Sequence, residues 1–149
     1  MTRRHLADQY APNLSARLGA LILEQRRRVL AESCAEMSER IHGLEPALRS
    51  LVDAAVEHNA LSGEELASVR AYAEMADDKY FELQENPATA AESHRWFVQA
   101  RLATALANAF GGSDAEAAAD AAYELCIIDD DAGVAIALIE AAIVRQKAS

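Results

Sequence analysis

The sequence predicts an all-α domain, a single-domain bundle of about six antiparallel helices built from αα-hairpins. Three observations carry that expectation. Ala supplies roughly a quarter of the 149 residues, well above ordinary usage, and no stretch alternates apolar with polar residues as a half-buried strand would. Apolar residues instead recur at threes and fours, the period of one helix face. Finally, Ser or Thr followed three residues later by Glu occurs at Ser62 and Glu65, at Thr89 and Glu92, and at Ser113 and Glu116. In such a capping box the hydroxyl accepts from the backbone N–H three residues on, while the Glu reaches back to the cap's own N–H. Each box therefore predicts a helix start.

Residues 1–12 are polar and read as a flexible N-terminal segment, with residues 13–149 forming one helical domain. Pro12 suits a helix entry. Leu14, Leu18, Leu21, Ile22 and Val29 begin a stripe that continues through Leu30, Cys34, Met37 and Ile41. The stripe rotates along the way, so a single long helix with a bend is expected. Arg26, Arg27 and Arg28 fan around that helix and cannot all face one ligand; solvation and ion pairs with the acidic half are their expected role.

Gly43 ends the first helix, and Pro46 suits the first turn of the second, which turns Leu48, Leu51, Val52, Ala55 and Val56 inward and stops at His58 and Asn59. The Ser62 box opens the third helix, lined by Leu66, Val69, Ala73, Ala76, Tyr80 and Leu83 and closed by Asn86 and Pro87. A fourth runs from the Thr89 box to Phe110, burying Trp96, Ala103, Leu106 and Phe110 before Gly111 and Gly112. The Ser113 box starts the fifth, with Ala118, Ala121, Ala122, Leu125 and Ile128 inward. Asp129, Asp130 and Asp131 then precede a final helix over about 132–146, where the macrodipole favours negative charge. That last helix is apolar nearly all round, which predicts either a central helix or one completing a subunit interface.

The run from Arg101 through Ala107, Gly112 to Ala118 and Tyr123 to Asp129 is similar to one tetratricopeptide-type helical hairpin, a small-residue helix followed by a tyrosine-bearing one. The resemblance covers one unit. No second copy recurs at a period of about 34 residues, the expected Gly of the first helix is absent, and Asp130 or Asp131 stands where a proline closes the unit. The run reads as ordinary hairpin packing.

The net charge of -10 is regional. Up to Arg49 eight Lys and Arg face six Asp and Glu, whereas from Ser50 onward six face eighteen. An acidic surface repels phosphate backbones and attracts cations within about a Debye length, near 8 Å in physiological salt. Direct nucleic-acid binding is not expected, and acidity also serves solubility. The longest apolar stretch, Gly133 to Val144, contains Glu140 and is too short to span a bilayer, and the first residues lack a secretory signal; a cytoplasmic protein without membrane contact is expected. Cys34 and Cys126 then read as reduced thiols.

Catalytic signatures are missing. A carboxylate-bridged dimetal bundle needs two Glu-x-x-His pairs, and Glu39 with His42 is the sole one. His5, His42, His58 and His94 are scattered, neither Cys lies in a ligand-spaced cluster, and the three consecutive aspartates lack the other ligands of a calcium loop. No nucleophile elbow or phosphate loop occurs. The sequence thus predicts no catalytic residue, metal or cofactor.

A binding surface is better supported. At 100 degrees per residue, Glu74, Asp77, Asp78 and Glu85 fall on the third helix away from its apolar stripe, with Glu82 at the margin and Phe81 projecting among them. An aromatic ringed by carboxylates suits a cationic partner, since the ring supplies desolvated area and the charges steer encounter. A second candidate surface comprises Phe97 with His94, Arg101 and Asn108. The expected function is a non-enzymatic interaction protein that occludes a basic protein, in the manner of immunity, antitoxin-like or anti-defence proteins. The alternatives are a scaffold subunit forming a homodimer through its C-terminal helix, and a helical small-ligand binder or enzyme with a cleft built from Tyr72, His94 and Trp96.

Overall fold

The computed structural model describes residues 6–148. Seven α-helices follow one another: α1 (Leu14–Gly19), α2 (Leu23–Ser38), α3 (Pro46–His58), α4 (Gly63–Gln84), α5 (Ala90–Gly111), α6 (Ala115–Cys126) and α7 (Gly133–Ala148). Short 3-10 turns occupy Leu6–Gln9 and Pro87–Thr89, and no strand occurs among the described residues. The all-α bundle expected from composition and periodicity is what forms.

α5 is the hub. Leu102, Ala103, Ala105 and Leu106 are all fully buried, and these four positions span about 160 degrees of the helix circumference. The helix packs on α4, α6, α2 and α3. Small alanines on α5 and α6 permit close axes, and Gly112 allows the turn between them: a Cβ there would collide with that of Ala117. One apolar cluster takes in residues from every helix, and a smaller one joins Ala76 of α4 to Trp96 and Ala100 of α5.

The expected first helix is two. It breaks after Gly19, a poor helix former, and Ile22 adopts extended backbone at φ -72 and ψ 162 before α2 begins. The break keeps Leu21 buried but turns Ile22 outward, 63% exposed, instead of leaving it on the stripe. Gln25 accepts from the Ile22 N–H at 3.2 Å. α2 stops at Ser38, short of Gly43, whose positive φ of 72 serves the connection to α3. Asn59 at φ 49 ends α3, and Val56 on that helix is exposed.

Of the three capping boxes one forms. Ser62 Oγ accepts from Glu65 N–H at 3.1 Å and Glu65 accepts from Ser62 N–H at 2.9 Å. Glu65 is held below its ordinary carboxyl range by those bonds. At the second, the 3-10 turn opened by Asn86 intervenes, and the Thr89 hydroxyl donates to the carbonyls of Leu83 and Asn86 instead. At the third, Asp114 takes the cap, accepting from Ala117 N–H at 2.8 Å. A carboxylate one residue on competes well with Ser for this role, since it also meets the positive end of the helix dipole.

Three other expectations change. Of residues 1–12, those from Leu6 onward pack: Ala7 and Ala11 are buried, and Asp8 accepts from the backbone and hydroxyl of Ser15. Residues 1–5 lie outside the described residues. α7 is not central; it lies against α2 and α6, burying Ala135, Ile139, Ala142 and Ile143 while Val144 is 61% exposed. The arginine run does not reach the acidic half through ion pairs. Arg26 donates to the carbonyl of Ser113 and Arg27 to those of Phe110 and Gly112, closing the C-terminal end of α5, while Arg28 pairs with Glu24 at 3.5 Å. Orphan carbonyls and the negative end of the dipole favour cations there. Cys34 and Cys126 are buried free thiols, pushed up by burial to about 12 and about 11 respectively.

Candidate functional site

α4 and α5 are long antiparallel neighbours, each about 33 Å in length at 1.5 Å per residue. α4 is an outer helix. Only Val69 and Ala76 are buried on it, with Leu66, Tyr72, Ala73, Tyr80 and Leu83 half-buried. Much of its circumference therefore faces solvent.

The two candidate surfaces are one. Phe81 packs against Tyr80 with centroids 5.2 Å apart, Tyr80 packs against Phe97 at 5.2 Å, and Phe97 stacks on His94 at 6.3 Å. These separations lie in the range where offset and tilted rings attract. The Arg101 guanidinium covers Phe97 at 5.6 Å from its centroid. An aromatic run thus crosses from α4 to α5. Its inner rings are half-buried, whereas Phe81 at its outer end is 57% exposed.

Arg101 anchors the run from beneath. It bonds Asp77 of α4 at 2.7 Å and Glu124 of α6 at 2.8 Å, so one fork ties three helices. Arg101 and Glu124 are largely buried, at 16% and 15% side-chain exposure. Burial pushes the Glu124 carboxyl above its ordinary range against the opposing pull of Arg101. Asp77 is consequently not part of the open acidic face. Its helical position lies only 80 degrees from that of Val69, on the side turned toward α5.

Glu74, Asp78, Glu82 and Glu85 are exposed and form no ion pair with the described residues. Lys79 does not neutralise them; its ammonium lies over Trp96 at 5.3 Å from the centroid. Asn108 does not join the surface. It lies two turns along α5 from Arg101, about 10 Å away. Tyr80 lies on the expected stripe, half-buried against the smaller apolar cluster, and it also links Phe81 to Phe97, a contact that spacing along one helix did not show.

A separate cleft of about 410 Å³ opens where the end of α2 and the following turn meet α5 and the residues after α6. His94 lines it, but Tyr72 and Trp96 do not. Tyr72 donates to Gln99 at 2.9 Å and Trp96 packs in the smaller apolar cluster, so of the three residues expected to build a cleft only His94 lines this one. Glu39 pairs with Arg49 at 3.8 Å while His42 faces the cleft, and no group of three or more metal-ligating side chains occurs among the described residues.

By fold, the chain is an all-α helical bundle. Comparison with protein-family models, curated proteins and solved structures finds no match. Among the described residues no helix is long and apolar enough to cross a membrane.

Proposed function

We propose that this protein binds a basic protein partner through the outer face of α4, with Phe81 as the apolar anchor and Glu74, Asp78, Glu82 and Glu85 as the charges that steer and orient the partner. One observation carries the reading: an aromatic ring 57% exposed, surrounded by carboxylates that the chain's own cations leave unpaired among the described residues. Exposing such a ring forgoes apolar burial worth roughly 25 cal/mol per Å², and a docked partner recovers it. The aromatic run behind Phe81 fixes the ring in place, which limits the ordering loss on binding. Asp77 serves the surface indirectly by orienting Arg101 beneath Phe97. Occlusion of the partner, as immunity, antitoxin-like or anti-defence proteins achieve it, is the functional form we favour; this rests on likeness of size, charge and helical character.

Capture from the native host's lysate tests the reading. The intact protein is expected to retain basic proteins, and the Asp78→Lys/Glu82→Lys variant to lose at least tenfold of that signal, with stability unchanged because both residues are exposed. Equal capture by the two proteins contradicts it.

A second reading has an observation of its own. Ala137, Ala141 and Val144 are exposed at helical spacing on α7, which favours self-association through that helix. Light scattering at micromolar concentration separates the readings: a dimer disrupted by Val144→Glu supports the second, and a monomer removes it.

A further inference from the structure

The cleft shares His94 with the aromatic run, but no residue of α4 lines it. Its interior wall is apolar, formed by Met37, Ile41, Val98 and Ile128. Its mouth carries Arg40, His42, His94 and Arg95 against one carboxylate, Asp129. In a chain of net charge -10, that gathering is a local concentration of N–H donors, its two guanidinium groups balanced by Asp129 and by Glu45. Arg95 already bonds Glu45 at 2.9 Å and lies over Trp96, so its orientation is fixed. Arg40 is exposed and pairs with no carboxylate among the described residues, which leaves its guanidinium fork open.

We infer that this cleft binds a small organic anion bearing an apolar tail, a carboxylate of medium chain length. Three features point to that class. The volume of about 410 Å³ lies within the range of small-molecule sites, which are mostly apolar with a few placed polar groups. The buried apolar wall and the exposed mouth, where Arg40 has no carboxylate partner among the described residues, are segregated, matching a ligand with one charged end. The open guanidinium presents parallel donors that suit a planar carboxylate, while the His42 and His94 imidazoles of the lining add N–H donors. Ala91 lies at the exposed edge, in the first turn of α5, where its small side chain leaves the mouth open.

Octanoate is the probe, with 1-octanol and inorganic phosphate as matched controls, titrated into the full chain by calorimetry while the His42 and His94 ring resonances are followed by NMR. The expected result is one octanoate per chain with shifts at both imidazoles, and binding by 1-octanol and by phosphate at least tenfold weaker. Arg40→Gln is expected to weaken octanoate at least fivefold, and Ala91→Trp to abolish it by filling the mouth. Both positions are exposed, so circular dichroism and thermal melting are expected to match the unsubstituted chain. Equal binding of octanoate and 1-octanol, phosphate binding as tightly as octanoate, or indifference to both substitutions overturns the inference. None of these outcomes bears on Phe81, so the α4 surface stands or falls separately.

Discussion

Arg101→Ala is expected to destabilise the fold by about 3 kcal/mol and lower the melting temperature by about 10 °C. The loss exceeds that of an ordinary surface pair because the substitution leaves Glu124, 15% exposed, as an uncompensated charge among packed helices. It also removes the cation over Phe97 and frees Asp77. Adding Glu124→Gln to Arg101→Ala is expected to recover part of the loss, since the stranded charge disappears. The pH dependence supplies a second signature. Glu124 has its folded pKa raised by burial, so its contribution is fully present below the unfolded carboxyl value and is lost as pH rises through the raised one. Without Arg101 the carboxyl is raised further. The stability of Arg101→Ala therefore falls more steeply than that of the intact protein as pH rises above the ordinary carboxyl range, measured by chemical denaturation. Parallel pH profiles contradict this account of the triad.

Gln99→Leu is expected to destabilise by about 2 kcal/mol despite conserving volume and adding apolar character. Gln99 is fully buried, and its side-chain oxygen accepts from the Glu45 N–H at 2.8 Å and from the Tyr72 hydroxyl at 2.9 Å. A leucine strands both donors, one at the start of α3 and one on α4. Tyr72→Phe removes one of them, so in the Gln99→Leu background it is expected to cost less than in the intact protein. A double-mutant cycle with coupling above about 0.5 kcal/mol bears this out. Additive losses contradict it. Burial and the nearby Glu45 carboxylate also hold the Tyr72 hydroxyl protonated to well above its ordinary range, so this bond persists at every pH where the fold is stable.

Much of this architecture was legible from local chemistry. Pro46, the pair His58 and Asn59, and Gly111 marked helix ends because each acts through its own backbone. The Ser62 box formed because no better cap stands beside it. The Ser113 box failed because Asp114 does, and the Thr89 box failed because Pro87 imposes a 3-10 turn first. The break between Gly19 and Ile22 escaped the apolar pattern, because periodicity records which residues are apolar and not where the backbone leaves the helix.

The site was half legible for the same reason. Helical spacing located Phe81 and its exposed carboxylates, since exposure on an outer helix follows from the face opposite its stripe. Spacing along one helix says nothing about a neighbour. The pairing of Asp77 with Arg101, and the passage from Phe81 through Tyr80 to Phe97, depend on the register between α4 and α5. The cleft gathers residues from segments as distant as Arg40 and Asp129, and its cations were invisible beneath the acidic total.

The most direct measurement places a photo-crosslinking phenylalanine derivative at position 81, with the same group at position 144 on α7 as a control, in the native host. Position 81 is expected to crosslink to a basic protein, the adduct to disappear at about 1 M salt where the Debye length falls to about 3 Å, and Asp78→Lys/Glu82→Lys to abolish it. Adducts at position 81 to acidic proteins, adducts indifferent to salt and charge reversal, or partners appearing only at position 144 would contradict the proposed function.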